Sequence, residues 1–269
     1  ALSAYGADTY SILVCGDLGD EWFDSSLTSL GIAHTIIKAD GVTRSNITIL
    51  EADGIVTKLN EPGFNLTENI ITNVKAALAS IDLKGAWVVL AGRLNPGADV
   101  NTYRVLAEYA RSLGAKIALD GSGPEFKAAM QVKPDLIKPN QFELGELVGR
   151  ELITINDVIS AANELITRGI GQVLCSLGVD GAILISPDGI VHCEPEVVAQ
   201  GTPVGAGDIL LAIYLGGGAQ SSALKDAIAW SAASVPLEGT AIPTKAEAAA
   251  VKVKVNQTPT AQRELAEVH

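Results

Sequence analysis

Continuous apolar runs alternate with segments of helical period along most of this chain. Tyr10–Cys15, Trp87–Ala91, Ala115–Asp120 and Gln172–Ser176 read as short strands, and Gly19–Leu30, Asp99–Leu113 and Asp157–Arg168 as helices. Strands that are apolar throughout, separated by helices of this length, predict βαβ units and a mainly parallel sheet covered on both faces. The fold class expected is α/β.

Two stretches break the alternation. Residues 34–60 read as a strand, a turn at Asp40-Gly41, a strand Ser45–Leu50, a turn at Asp53-Gly54 and a strand Ile55–Leu59. Asp-Gly between β-rich runs is a hairpin signal, so a small antiparallel flap outside the main sheet is expected here. In Gly181–Glu194, Ala182–Ile185 and Ile190–His192 flank Pro187-Asp188-Gly189, which predicts a second hairpin as the antiparallel edge of the sheet.

Composition narrows the class. A chain of 269 residues, 48% hydrophobic, suits one large α/β domain, here 1–269 with the flap inserted at about 34–60. The net charge of −12 argues against non-specific binding to nucleic acid or an anionic membrane. An anionic substrate would have to be held by a few placed cations and by helix N-termini. Cys15, Cys175 and Cys193 are scattered singly, without disulfide or zinc spacing, and the simplest reading is a reducing cytoplasm. No run of 18 apolar residues predicts a membrane span. His34, His192 and His269 have no metal spacing and read as structural or exposed.

The sharpest local feature is Thr202-Pro203-Val204-Gly205-Ala206-Gly207-Asp208, followed by the apolar helix Ile209–Leu215. Small residues let a ligand approach the backbone, and a helix opening there points free N–H groups and a positive dipole end at it. Local physics leaves two readings of Asp208. It is either an ordinary helix-start residue or a base that takes a proton from a hydroxyl attacking phosphorus. Other glycine motifs fail: there is no Gly-x-x-x-x-Gly-Lys-Ser/Thr, no third glycine of a dinucleotide fingerprint, and no Gly-x-Ser-x-Gly.

Val204-Gly205-Ala206-Gly207-Asp208 resembles the second signature of the PfkB/ribokinase carbohydrate kinases. Lys138-Pro139-Asn140-Gln141-Phe142-Glu143 resembles that family's Asn-x-x-Glu segment, and Ser176-Leu177-Gly178-Val179-Asp180-Gly181-Ala182 its nucleotide-pocket turn. Thr43-Arg44-Ser45-Asn46 and Thr57-Lys58-Leu59-Asn60-Glu61-Pro62-Gly63 are similar to lid segments of the hexose-phosphate kinases within it. The similarity runs from the first residues to about Ser234 and tips the reading of Asp208 toward the base. It implies a ribokinase-like fold with a β-lid, ATP and Mg2+ as cofactors, and a hexose phosphate such as fructose 1-phosphate or tagatose 6-phosphate as acceptor. It further implies a homodimer formed through the lid.

The resemblance implies roles residue by residue. Asp208 is the base, and Gly205, Ala206 and Gly207 form the anion hole. Lys138, Asn140, Ser176, Gly178 and Gly181 face ATP, while Asn140 and Glu143 sit near magnesium, through water. Arg44, Asn46, Asn60, Gly92 and Arg93 face the sugar phosphate, with a solvated lid charge the lesser alternative for Arg44. Departures accompany the match. Arg93 stands where relatives carry a hydroxyl, Pro203 where a Thr is common, and Ile209 where Ser or Thr follows the Asp. The family's first strand and its Gly-Gly-Lys-Gly segment have no counterpart, so a gap or a substitute strand is expected beside Tyr10–Cys15. A working kinase and a non-catalytic nucleotide or sugar binder both remain open; a nicotinamide-dependent oxidoreductase is disfavoured by the failed fingerprint.

Overall fold

The computed structural model describes residues 1–17, 19–50 and 56–266. The turn assigned to Asp53-Gly54 and the C-terminal His269 lie outside them. A one-turn helix α1 (Leu2–Tyr5) precedes strand β1 (Tyr10–Asp17), helix α2 (Asp20–Ser29) and strand β2 (Ala33–Val42). Strands β3 (Asn46–Leu50) and β4 (Val56–Asn60) follow, then α3 (Glu68–Ala79), β5 (Trp87–Ala91), α4 (Thr102–Ser112), β6 (Lys116–Asp120) and α5 (Gly123–Ala129). Next come β7 (Leu136–Ile137), α6 (Gln141–Val148), α7 (Ile155–Thr167), β8 (Val173–Ser176), β9 (Ala182–Ser186) and β10 (Gly189–Pro195). The chain continues with α8 (Ala206–Gly216), α9 (Ala223–Ser234), α10 (Lys245–Ala250) and β11 (Val253–Asn256).

Seven strands form the central sheet in the order β11-β10-β9-β8-β7-β6-β5. β5 to β8 are parallel, and β8 to β11 pair antiparallel. Successive strand side chains point to opposite faces, so each strand feeds two cores. Ile117, Leu119, Val173, Cys175 and Ile183 pack with Ala107 of α4 and Val158 and Leu165 of α7. Ala118, Leu136, Leu174 and Leu184 pack on the other face with Leu210 and Tyr214 of α8 and Leu224 of α9. Helix α7 starts where a capping box allows: Thr154 Oγ1 accepts from Asp157 N, and the Asp157 carboxylate accepts from Thr154 N.

The flap differs from the sequence expectation in its first strand. β2 runs straight through Asp40-Gly41 and pairs in parallel with β1, from Tyr10↔Ala33 to Asp17↔Val42. The register slips between Cys15 and Asp17. There a Cβ on Gly16 would lie 2.2 Å from the Gly41 carbonyl oxygen, so both glycines serve a close backbone approach instead of a turn. The antiparallel pair is β3 with β4 alone, in register Asn46↔Asn60 to Leu50↔Val56. The Gly181–Glu194 hairpin forms as β9 and β10, but β11 and not β10 is the edge strand.

β1 and β2 make a separate two-stranded sheet, and β5 ends the central one. Among the described residues no strand joins β1 to β5, which is the gap expected beside Tyr10–Cys15. Ile12 and Val14 of β1 pack with Ile37, Ala39, Phe64 and Ile70, and Ile12 also touches the core of the central sheet.

Candidate active site

The carboxyl ends of β5, β6, β7 and β8 lie side by side, and the candidate residues gather there, where open α/β sheets hold ligands. Gly205 caps α8 with φ +82, a conformation that favours glycine, and places Asp208 in the first turn. The three amides assigned to the anion hole are not equivalent. Ala206 N–H donates to Pro203 O at 3.0 Å and closes the turn, whereas Gly205 and Gly207 N–H have no acceptor among the described residues. Asp208 and Gly205 open on a cavity of about 450 Å³ that Ser3, Thr9, Ser11 and Thr240 also line.

Lys138 reaches the same point from β7. It is buried, and its Nζ lies 3.0 Å from Asp120 Oδ1 and 3.2 Å from where a Cβ on Gly207 would sit. The nitrogen therefore lies directly beneath the first turn of α8. Burial pushes the Asp120 carboxyl above its ordinary range; Lys138 opposes this, and the Asp208 and Glu143 charges reinforce it. The Lys138 ammonium pairs with Asp120 alone, while Asp208 and Glu143 act on that carboxyl through their charge. Asp120 was not singled out from sequence. After an apolar strand, Asp120-Gly121 reads as an ordinary turn, so the sequence carried no signal that set this carboxylate apart.

On the nucleotide side assigned from sequence, Asn140 and Glu143 form a capping box for α6. Glu143 N–H donates to Asn140 Oδ1 and Asn140 N–H to Glu143 Oε2, each at 2.9 Å. Asn140 also forms a parallel bridge with Ser176, and Ser176 N–H donates to Pro139 O at 3.1 Å. Gly178 (φ +59) and Gly181 (φ +79) bracket a single 3-10 turn, Gly178–Asp180. A Cβ on Gly181 would lie 2.1 Å from Cys193 O, so no other residue fits there.

The sugar-side residues assemble in part. Arg44 Nη1 donates to Asn95 Oδ1 at 3.4 Å, and Asn95 Nδ2 to Phe64 O at 3.1 Å. The Tyr103 hydroxyl lies 2.8 Å from Ala91 O and 2.9 Å from Gly92 O, and burial pushes its pKa up to about 12 while Arg44 opposes the shift. Gly92 N–H donates to Asp120 O at 3.1 Å and so ties this loop to the Asp120–Lys138 pair. Asn46 and Asn60 face each other at one end of the hairpin. Arg93 is exposed and has no hydrogen bond or ion pair among the described residues. Asn95 and Tyr103 were missed by sequence reasoning, because their partners Arg44, Phe64, Ala91 and Gly92 lie 11 to 51 positions away in the chain.

Residues 1–245 match the pfkB family carbohydrate kinase. The chain belongs to this family. This pfkB family kinase is 35% identical over 208 residues to the 1-phosphofructokinase of Rhodobacter capsulatus, covering 76% of this chain and 66% of that one. It is 34% identical over 245 residues to the 1-phosphofructokinase of Vibrio cholerae, covering 88% and 76%. In structure it resembles phosphofructokinase-2 from Escherichia coli in complex with potassium, with a TM-score of 0.84 at 27% identity over 92% of this chain and 82% of that one. The ribokinase-like α/β fold with a small antiparallel sheet is therefore shared with sugar kinases of known structure. Among the described residues no helix is long and apolar enough to cross a membrane.

Proposed function

We propose that this pfkB family kinase transfers the γ-phosphoryl group of ATP to a hydroxyl of a hexose phosphate, with fructose 1-phosphate the favoured acceptor. The acceptor choice follows the names of its relatives, which are 1-phosphofructokinases. The observation that carries the reading is Asp208 in the first turn of α8, with Gly207 against the buried Lys138 Nζ. A carboxylate in the first turn of a helix, with an ammonium against the neighbouring Gly207, would provide a base for the attacking hydroxyl and positive potential for the transferred group.

Asp208 takes the proton of the acceptor hydroxyl. Gly205 and Gly207 N–H, with Lys138, stabilise charge on the phosphoryl oxygens, and Ala206 shapes the turn instead of donating. Ser176, Gly178 and Gly181 line the nucleotide, and Asn140 holds Glu143 in place. Arg44 grips the phosphate already on the sugar, with Asn46, Asn60 and Gly92 around it; Arg93 is given no part. Glu143 Oε1 has no partner among the described residues, so it suits a magnesium ion that keeps waters and phosphate oxygens as its other ligands. Such an ion, held by Glu143 and through water by Asn140, would neutralise charge on the β- and γ-phosphates.

Ile47 and Leu59, opposite each other, and Ile49 leave exposed apolar side chains on one face of the β3–β4 hairpin. We assign that face to a second copy of the chain, to be checked by light scattering on an Ile47→Glu variant, which should shift a dimer to monomer.

A binding-only member of the family is the second reading. ATP–Mg2+ with a panel of hexose phosphates separates the two. The kinase reading expects turnover with at least one sugar phosphate and a fall of roughly 10²–10⁴ in Asp208→Asn with unchanged ATP affinity. A fall of less than about tenfold would remove Asp208 as the base.

A further inference from the structure

The segment after β11 runs back across the nucleotide end of the sheet. Asn156 N–H donates to Ala261 O at 2.9 Å, Ile155 N–H to Arg263 O at 3.0 Å, and Leu265 N–H to Ile153 O at 2.9 Å, and Thr154 bridges Glu264. Leu265 is buried in the core that contains Ile155 and Leu177. These residues form a fixed strap, and it lies beyond the stretch 1–245 that matches the family.

The strap ends on the turn Gly178–Asp180. Arg263 Nη2 lies 2.5 Å from Asp180 Oδ1 and its Nη1 2.5 Å from Glu194 Oε2, so one guanidinium ties the turn to β10. The other Asp180 oxygen, Oδ2, accepts from Ala266 N–H at 2.7 Å. The Asp180 carbonyl accepts from His192 Nε2 at 2.7 Å, and the turn closes through Leu177 N–H to Gly181 O at 2.8 Å. Asp180 is buried, and every side-chain partner it has among the described residues comes from the strap. A buried carboxylate stripped of those donors would have to move toward water, and Gly178 and Gly181 would move with it.

We infer that Arg263 and Asp180 are positioning residues for nucleotide binding: the strap 257–266 holds the Gly178–Gly181 turn in the shape that receives ATP. This rests on the assignment of that turn to the nucleotide. Neither residue touches the acceptor end of the site, so the effect is confined to ATP. The planar fork of Arg263 spans two carboxylates at once, which a single ammonium does less well.

The test measures ATP dissociation constants by calorimetry, and KM for ATP and for the sugar phosphate, in the wild-type chain and in Arg263→Ala, Arg263→Lys, Asp180→Asn and Glu194→Gln. Arg263→Ala should raise both the ATP Kd and KM about tenfold, leave the sugar-phosphate KM within twofold, and be partly restored in Arg263→Lys. Asp180→Asn, which keeps shape, should move in the same direction, and Glu194→Gln, which leaves the Asp180 arm, should change ATP binding less than threefold. Should the wild type bind ATP while Arg263→Ala and Asp180→Asn bind it equally well, the strap has no positioning role. Parallel rises in both KM values would also overturn the proposal, because they mark general loosening. A wild-type chain that binds no ATP would remove the nucleotide assignment itself, and this inference with it.

Discussion

Replacing Lys138 by Met removes one half of a buried ion pair and leaves Asp120 without its cation. The two side chains are 8% and 13% exposed, so solvent takes up little of the loss. Breaking a buried pair from one side costs about 3–5 kcal/mol. Asp120 has an escape, since it can bind a proton. Protonating a carboxyl of ordinary pKa near 4 costs about 5 kcal/mol at pH 7.5 and about 1.5 kcal/mol at pH 5. The loss should therefore be about 3 kcal/mol at pH 7.5 and no more than about 1.5 kcal/mol at pH 5. The sign follows from a folded-state pKa raised above the unfolded one: stability is highest below the unfolded value and is lost as pH rises through the folded value. Urea unfolding of the single variant at both pH values measures this. Lys138→Met with Asp120→Asn should recover most of the stability at pH 7.5 but none of the phosphoryl transfer, because the Nζ beneath Gly207 stays absent. A single variant equally destabilised at pH 5 and 7.5, or a double variant no more stable than the single, would refute the argument.

Arg44→Ala should raise the KM for the sugar phosphate at least tenfold and leave that for ATP within twofold, since a charge-assisted contact is lost on one substrate only; equal losses count against the assignment. Gly207→Ala should leave thermal stability unchanged or slightly higher, because alanine favours a helix, yet its methyl meets Lys138 Nζ at 3.2 Å and should lower turnover at least tenfold; full activity would show that the site has room there. The Asp157 carboxyl is held below its ordinary range by the Thr154 hydroxyl, then by the Thr154 amide. Its contribution is present above the ordinary carboxylate range and is lost as pH falls through its lowered value. Asp157→Asn should therefore be less stable than wild type at pH 7 and indistinguishable near pH 2, as read by the melting temperature.

What sequence alone determined about this kinase was local. Apolar runs and helical periods marked β1, β5, β6, β8 and α7, because both periodicities are written in consecutive residues. Gly205–Asp208 was legible for the same reason, since a glycine cap, a helix start and a carboxylate lie within four positions. Tertiary structure decided the rest. Asp40-Gly41 has the letters of a turn, but the pairing of β2 with β1 over many residues outweighs a two-residue preference and puts the glycine into a bulge. Asp120 and Lys138 end different strands, and only the order β6-β7 brings them to 3.0 Å. Arg263 reaches Asp180 across 83 intervening steps of chain, a distance over which no spacing rule operates. Pairing across a sheet depends on which strands become neighbours. That choice rests on the burial of whole faces, which no short window of sequence contains.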